Sequence, residues 1–269
     1  MKKFLFWFVL ILTFIIFTFP VLNTMLIAFK TDADIFSVPP KIIFNPTLSH
    51  FEEVLTKGGY SFDKYFINSF AISTISTFIL LGLTFFSTYA VARYRVGGGN
   101  LPGLMLSLRF LPPILLCIPF YMLFTVIGLL DTVLGIAITH SLINLPIAFL
   151  VMLSFVEEIP RSIEEAAILD GCSTGHLLRS IVFPLLKPGL IAVGFISFIF
   201  SWNEYLMALV LSSTGAVPIT VGAGLFVQSF QVQYGEIAAV VILALIPPLL
   251  LAILFRKQIV KGLTMGAIR

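Results

Sequence analysis

Charge is what this chain has least of. Of its 269 residues only 11% are Asp, Glu, Lys or Arg, against about 25% in an ordinary soluble domain. The net charge of +3 is small and spread along the sequence, which excludes a nucleic-acid-binding face. Two cysteines, Cys117 and Cys172, are too few for a disulfide framework. Cys172 and His176 make a pair at best, so no metal site is expected. The sequence has no Gly-x-x-x-x-Gly-Lys-Ser/Thr phosphate loop, no His-Glu-x-x-His and no Gly-x-Ser-x-Gly; each would place a phosphate, a zinc ion or a nucleophile. The run Gly97-Gly98-Gly99 lacks the lysine and the strand-helix setting of a phosphate loop and reads as a cytoplasmic turn. No catalytic residue and no cofactor is therefore expected in this chain.

What fills the space is apolar: 59% of the residues are hydrophobic. A membrane-spanning helix needs about 20 such residues. Six segments qualify: 4–29, 65–92, 102–127, 132–156, 188–211 and 237–255. The first follows Met1-Lys2-Lys3 and resembles a signal peptide. Its apolar run far exceeds the roughly 7–15 residues of a signal h-region and has no small-x-small cleavage site, so it reads as an uncleaved first span. Helices satisfy their own backbone groups in lipid, whereas open sheets and long loops cannot. The expectation is an all-α polytopic membrane protein with six spans, a single bundle domain over 1–269, a cytoplasmic loop at 157–187 and a cytoplasmic tail at 256–269.

Basic residues set the orientation. With both termini in the cytoplasm, Lys2, Lys3, Arg93, Arg95, Arg161, Arg179, Lys187, Arg256, Lys257, Lys261 and Arg269 lie inside, and only Lys30, Lys41, Lys57 and Lys64 outside. Arg109 falls within the third span, where it would snorkel to the inner interface.

The loop between spans four and five holds the densest local signals. Ser162 and Glu165 have the spacing of a capping box, which predicts a helix from Ile163. Glu164 and Glu165 suit its N-terminal dipole, and Gly171 supplies a left-handed stop. Ser173 or Thr174 would cap a second short helix, ended by Pro184 and Pro188. The first helix presents Ile163, Ala166 and Ala167, the second Leu177, Leu178 and Ile181. So short a pair is unstable alone in water and must dock, either on the protein's own helix ends or on a partner.

The order Glu165-Ala166-Ala167, three residues, Gly171, nine residues, then Ile181-x-Phe183-Pro184 resembles the EAA loop of ABC-importer permeases, with Phe183 where leucine is usual. Further stretches are similar to the carbohydrate-uptake branch, in particular the second permease subunit of maltose-type importers. They are Arg109-Phe110-Leu111-Pro112-Pro113, Gly128-Leu129-Leu130-Asp131-Thr132, Ser201-Trp202-Asn203-Glu204-Tyr205 and Gly262-Leu263-Thr264-Met265-Gly266-Ala267. The resemblance implies a type I ABC importer permease fold in a bacterial or archaeal cytoplasmic membrane, importing a sugar. It implies as partners a second permease subunit in a heterodimer, an ATPase subunit dimer that binds ATP and Mg, and an extracytoplasmic solute-binding protein, all within membrane lipid. By the same resemblance Glu164, Glu165, Ala166, Ala167, Asp170, Gly171, Ile181 and Pro184 couple to the ATPase, and Gly262, Thr264 and Gly266 of the tail reach it.

Polar side chains inside a span are costly and mark function or interhelical contact. Trp202, Asn203, Glu204 and Tyr205 combine aromatic faces with an amide and a carboxylate, the chemistry of a sugar site; interhelical hydrogen bonding is the competing reading. Asn144 precedes Pro146 in span four, where a kink is expected, and His140 reads as a packing histidine. An ion-coupled secondary transporter is the alternative. It would need intramembrane acids and a pair of broken helices recurring in the two halves; few acids lie in the spans, and no such pair is expected from the sequence. A membrane-embedded enzyme would need a His or acidic cluster at the membrane surface.

Overall fold

A computed structural model of the chain describes residues 2–57, 61–227 and 232–265. Most of them are helical, and the only β-structure among the described residues is an isolated bridge between Val227 and Val232. In chain order the helices are α1 Lys2–Ala28, α2 Asp32–Ile35, α3 Ser49–Glu52, α4 Phe62–Tyr94, α5 Leu101–Leu108, α6 Cys117–Ile127, α7 Val133–Glu158, α8 Arg161–Leu169, α9 Thr174–Leu177, α10 Phe183–Trp202, α11 Leu206–Leu211, α12 Ile219–Gly224 and α13 Tyr234–Met265. Five stretches are long and apolar enough to cross a membrane, and α5 with residues 113–127 makes a sixth, broken one.

The chain divides into two compact units. One comprises residues 1–66 and 221–247. Its α1 is apolar on every side and exposed along its length, with Phe4, Phe14 and Phe17 each at least 66% accessible. Such a helix is at home only in lipid or against another apolar chain. Elsewhere in this unit His50 is buried, with Nδ1 3.1 Å from Glu236 Oε1 and Nε2 2.8 Å from the Lys30 carbonyl.

The other unit comprises residues 67–220 and 248–269. Its core runs through Leu80, Phe85 and Tyr89 of α4, Met152, Phe155 and Val156 of α7, Leu177 and Val182, and Leu186 and Val193 of α10. At Gly189 a Cβ would lie 2.6 Å from the Phe155 ring. The absence of a side chain there is what lets α10 lie close against α7.

Two expected spans are not continuous helices. The segment 102–127 bends by 92° between Leu108 and Pro113. Pro112 is extended and leads with Pro113 into a short 3₁₀ turn; neither proline can donate a helical hydrogen bond, and the residue before a proline avoids the helical region. Arg109 therefore sits at the bend rather than at the inner end of a straight span. The expected span 188–211 begins earlier and is interrupted: α10 ends at Trp202, and α11 starts at Leu206.

Pro184 does not end the second short helix, as the sequence implied. Residues 178–182 form a π-helical turn that links α9 to α10, and Pro184 follows it in the first turn of α10. In α7 the helix continues through Pro146.

Candidate functional site

Helix α8 begins at Arg161, two residues ahead of the capping-box expectation. Ile159 and Pro160 are both extended, as the pre-proline restriction favours, so Pro160 takes the N-cap position without a side-chain hydrogen bond. Ser162 thus falls inside the first turn and Glu165 just beyond it, and no capping box forms. The other end matches the sequence reading. Gly171 has φ +83°, its N–H reaches the Ile168 carbonyl at 2.9 Å, and the Cys172 N–H reaches the Ala167 carbonyl at 3.0 Å. These two bonds are a Schellman stop.

Along α8 the faces divide sharply. Ile163, Ala166, Leu169 and Asp170 are exposed, as is Glu165. Ala167 turns inward against the core, so it leaves the open face on which the sequence placed it. Leu177 is also buried in the chain's own core, and Ile181 packs against that core, which meets half of the two docking possibilities. Pro184 is exposed.

Glu164 requires a larger correction. Expected on the docking surface, it is the buried residue of α8, 5% accessible. Its Oε2 accepts from the Tyr89 hydroxyl at 2.8 Å and its Oε1 from Arg93 Nε at 2.7 Å. Arg93 Nη2 also donates to the carbonyls of Val156 and Ile159, at 3.1 and 2.9 Å. Arg161 donates in return to the Ala92 carbonyl at 2.9 Å. The ends of α4 and α7 and the helix α8 are thereby joined through one carboxylate and two guanidinium groups.

The break at 203–205 forms a second polar constellation. Glu204 caps α11, accepting from the N–H groups of Met207 and Ala208 at 2.9 and 3.1 Å. His140 of α7 lies with Nε2 3.0 Å from Glu204 Oε2 and Nδ1 2.8 Å from Ser201 Oγ. Thr220 donates to the Glu204 carbonyl at 2.9 Å. The carboxylate is thus first a structural cap. Trp202, expected to offer an aromatic face, is 3% accessible and stacks on Phe198 at 5.7 Å. Asn144 is buried too. Asn203 and Tyr205 are exposed, although the Asn203 amide donates to the Ile199 carbonyl at 2.8 Å. Arg109, at the other break, stands 5.9 Å from the Phe200 ring, so the two interruptions lie side by side. Irregular backbone at membrane depth is tolerated where it lines a cavity or is covered by protein.

Asp131, in the stretch 128–132, makes a third constellation. In the turn before α7 it adopts φ +55°, and its carboxylate accepts the backbone N–H groups of Ser213, Thr214, Gly215 and Ala216 at 2.8–3.1 Å, together with the hydroxyl of Ser213 at 2.8 Å. Burial pushes its pKa up, but these donors outweigh burial and hold the carboxyl well below the usual range. Asn68 Nδ2 extends the same scaffold to the carbonyls of Gly215 and Val217.

Of the expected tail residues, Gly262 and Thr264 lie within α13, which runs on to Met265; Gly266 lies outside the described residues. Among the described residues no group of three His, Cys, Asp or Glu could hold a metal ion.

Residues 90–265 match the family described as "binding-protein-dependent transport system inner membrane component". A probable ABC transporter permease of Sinorhizobium fredii is 34% identical over 98% of this chain and 94% of its own length. A trehalose transport system permease of Mycobacterium tuberculosis is 35% identical over 78% of each chain. A trehalose/maltose transport system permease of Thermococcus litoralis is 29% identical over 96% of this chain and 94% of its own. Among solved structures, a bacterial ABC transporter involved in import of the acidic polysaccharide alginate superposes with a TM-score of 0.79 at 20% identity, covering 95% of both chains.

Proposed function

From the premise that this chain belongs to the binding-protein-dependent transport system inner membrane components, a family of non-enzymatic, multi-pass ABC-importer permeases, we propose that its cargo is a sugar and that α8 is where the ATPase drives it. Such a permease works with an ATPase and with a binding protein. The finer assignment is that a second, different permease completes the pathway in a heterodimer, that two ATPase subunits bind ATP and Mg, and that both termini and the α8 loop face the cytoplasm. Membrane lipid or the second permease covers the exposed α1.

The observation that carries this reading is the split personality of α8: one face locked to two span ends, the other open and apolar. Ile163 and Leu169 are 41% and 88% accessible, with Ala166 small enough for close approach between them. ATP-driven closure of the ATPase dimer would push on that face, and a two-state bundle would answer by changing which side is open. Glu165, Asp170 and Gly171 belong to the same surface, and Gly262, Thr264 and Gly266 would add a second contact at the chain's end. Cargo sugar is supported by the names of the trehalose and trehalose/maltose relatives. Asn203 and Tyr205, exposed at the second break, would line the pathway with Asn144, Trp202 and Glu204 shaping it from behind.

Purification of the tagged chain from its native membrane tests the reading. A phosphate-loop ATPase should co-purify, and uptake should stop when ATP is withheld. Uptake that instead collapses with an ionophore at constant ATP would replace this reading with an ion-coupled transporter. Screening the co-purified binding protein against a sugar panel identifies the cargo.

A further inference from the structure

Helix α8 has nine residues and buries one of them, Glu164. Apolar packing alone therefore does not hold it to the bundle; Ala167 adds only a methyl group to the core. What fixes its position is polar: chiefly the buried carboxylate, gripped by Tyr89 and Arg93, with Arg161 bonded at the surface to the Ala92 carbonyl. Arg93 has its charged side chain 9% accessible, and Glu164 6%. Arg93 Nη2 donates to the carbonyls of Val156 and Ile159 at the end of α7, where a cation also suits the helix dipole. A desolvated ion pair of this kind contributes little net stability compared with an apolar replacement, but it fixes geometry. Its planar fork makes Arg93 a joint between three elements, α4, α7 and α8, that apolar contact would leave free to slide.

Resting on the function proposed above, we infer that Arg93 and Glu164 are positioning residues for energy coupling: they do not touch the ATPase, but convert displacement of α8 into movement of α4 and α7. Pushed by its outer face, a helix held only by Ala167 and by the Arg161 bond to the Ala92 carbonyl would tilt or roll. Held by the clamp, it takes the ends of both spans with it. Glu164 is thus separated in role from its neighbours Glu165 and Ala166, which are exposed.

The test uses the complete transporter, with both permeases, ATPase subunits and binding protein, in proteoliposomes. The readout is sugar imported per ATP hydrolysed. Glu164→Gln keeps the size and one acceptor but weakens a charge-assisted bond, a change of about tenfold or more in the equilibrium that bond controls. The expected result is normal recovery of the ATPase with the variant, continued ATP hydrolysis and a fall of about tenfold in imports per ATP. Tyr89→Phe, which removes a single donor, should lower the ratio less, and the Arg93→Gln/Glu164→Gln double variant should fall no further than Glu164→Gln alone. An unchanged ratio in Glu164→Gln overturns the inference. So does loss of the ATPase from the purified complex, because that would place Glu164 in the docking contact itself. If the wild-type complex holds no ATPase, it is the proposed function that fails, before any variant is made.

Discussion

Glu204 and His140 face each other across two helices, with 3.0 Å between Oε2 and Nε2. The carboxylate ties the start of α11 to the middle of α7, since the same oxygens accept the amides of Met207 and Ala208. His140→Ala should strip a partner from a carboxylate in a poorly hydrated place, which costs about 1–3 kcal/mol. Glu204→Gln keeps an acceptor for α11 and should cost less. Melting midpoints in detergent check the order: equal midpoints for His140→Ala and wild type would show that the pair contributes nothing to stability.

The turn at Asp131 makes an acid-resistant fastening. Its carboxyl is held well below the usual range by backbone donors of residues 213–216 despite burial. A carboxyl lowered on folding stabilises the protein in full above its unfolded value of about 3.9, and that contribution fades progressively as pH falls from there through the lower folded value. Asp131→Asn should therefore be less stable than wild type at pH 7, by about 1.5–3 kcal/mol for loss of bonds to a charged acceptor. The two should converge only in strong acid. A difference in melting midpoint that stays constant from pH 7 down to the acid limit would contradict this.

How much of this could be read in the chain depends on whether a feature is local. The spans were legible because lipid demands long apolar runs, and the stop at Gly171 was legible because only a left-handed residue closes α8 there. The bends were written in Pro112-Pro113 and in Trp202-Asn203-Glu204, yet apolar composition passes straight through both and hides them. The capping box at Ser162 does not form because Pro160 fixes the helix start two residues sooner. Glu164 was misplaced for a different reason. Its charge suggested solvent, while its partners Tyr89 and Arg93 are more than 70 residues away in sequence. A single sequence gives no sign of such a pairing, and the same holds for His140 with Ser201 and for Asp131 with the backbone of 213–216.

Trp202 and Asn203 are adjacent but should behave oppositely. Trp202 is enclosed and stacked on Phe198, so Trp202→Ala leaves a cavity worth about 3–5 kcal/mol and should lower the yield of folded complex. Asn203 is exposed at the break, with its side chain bonded only to its own helix backbone. Asn203→Ala should leave the stability within about 1 kcal/mol of wild type and change the KM for uptake. Unaltered transport kinetics in Asn203→Ala would remove it from the pathway.

Ala166 and Ala167 provide the sharpest discrimination between docking and folding, because the two faces of α8 part between them. Ala166 is exposed beside Ile163 and Leu169, whereas Ala167 packs on the core. A tryptophan at 166 would project from the molecule and obstruct only what lands on it; one at 167 would wedge between α8 and the bundle. An overpacked contact costs about 1–3 kcal/mol, so Ala166→Trp should weaken ATPase association from roughly fivefold to above a hundredfold while its melting midpoint as an isolated subunit stays put. Ala167→Trp should lower that midpoint as well. Measuring ATPase recovery and detergent melting on both variants separates the outcomes. If Ala166→Trp binds the ATPase as wild type does, the exposed face of α8 is not the docking surface.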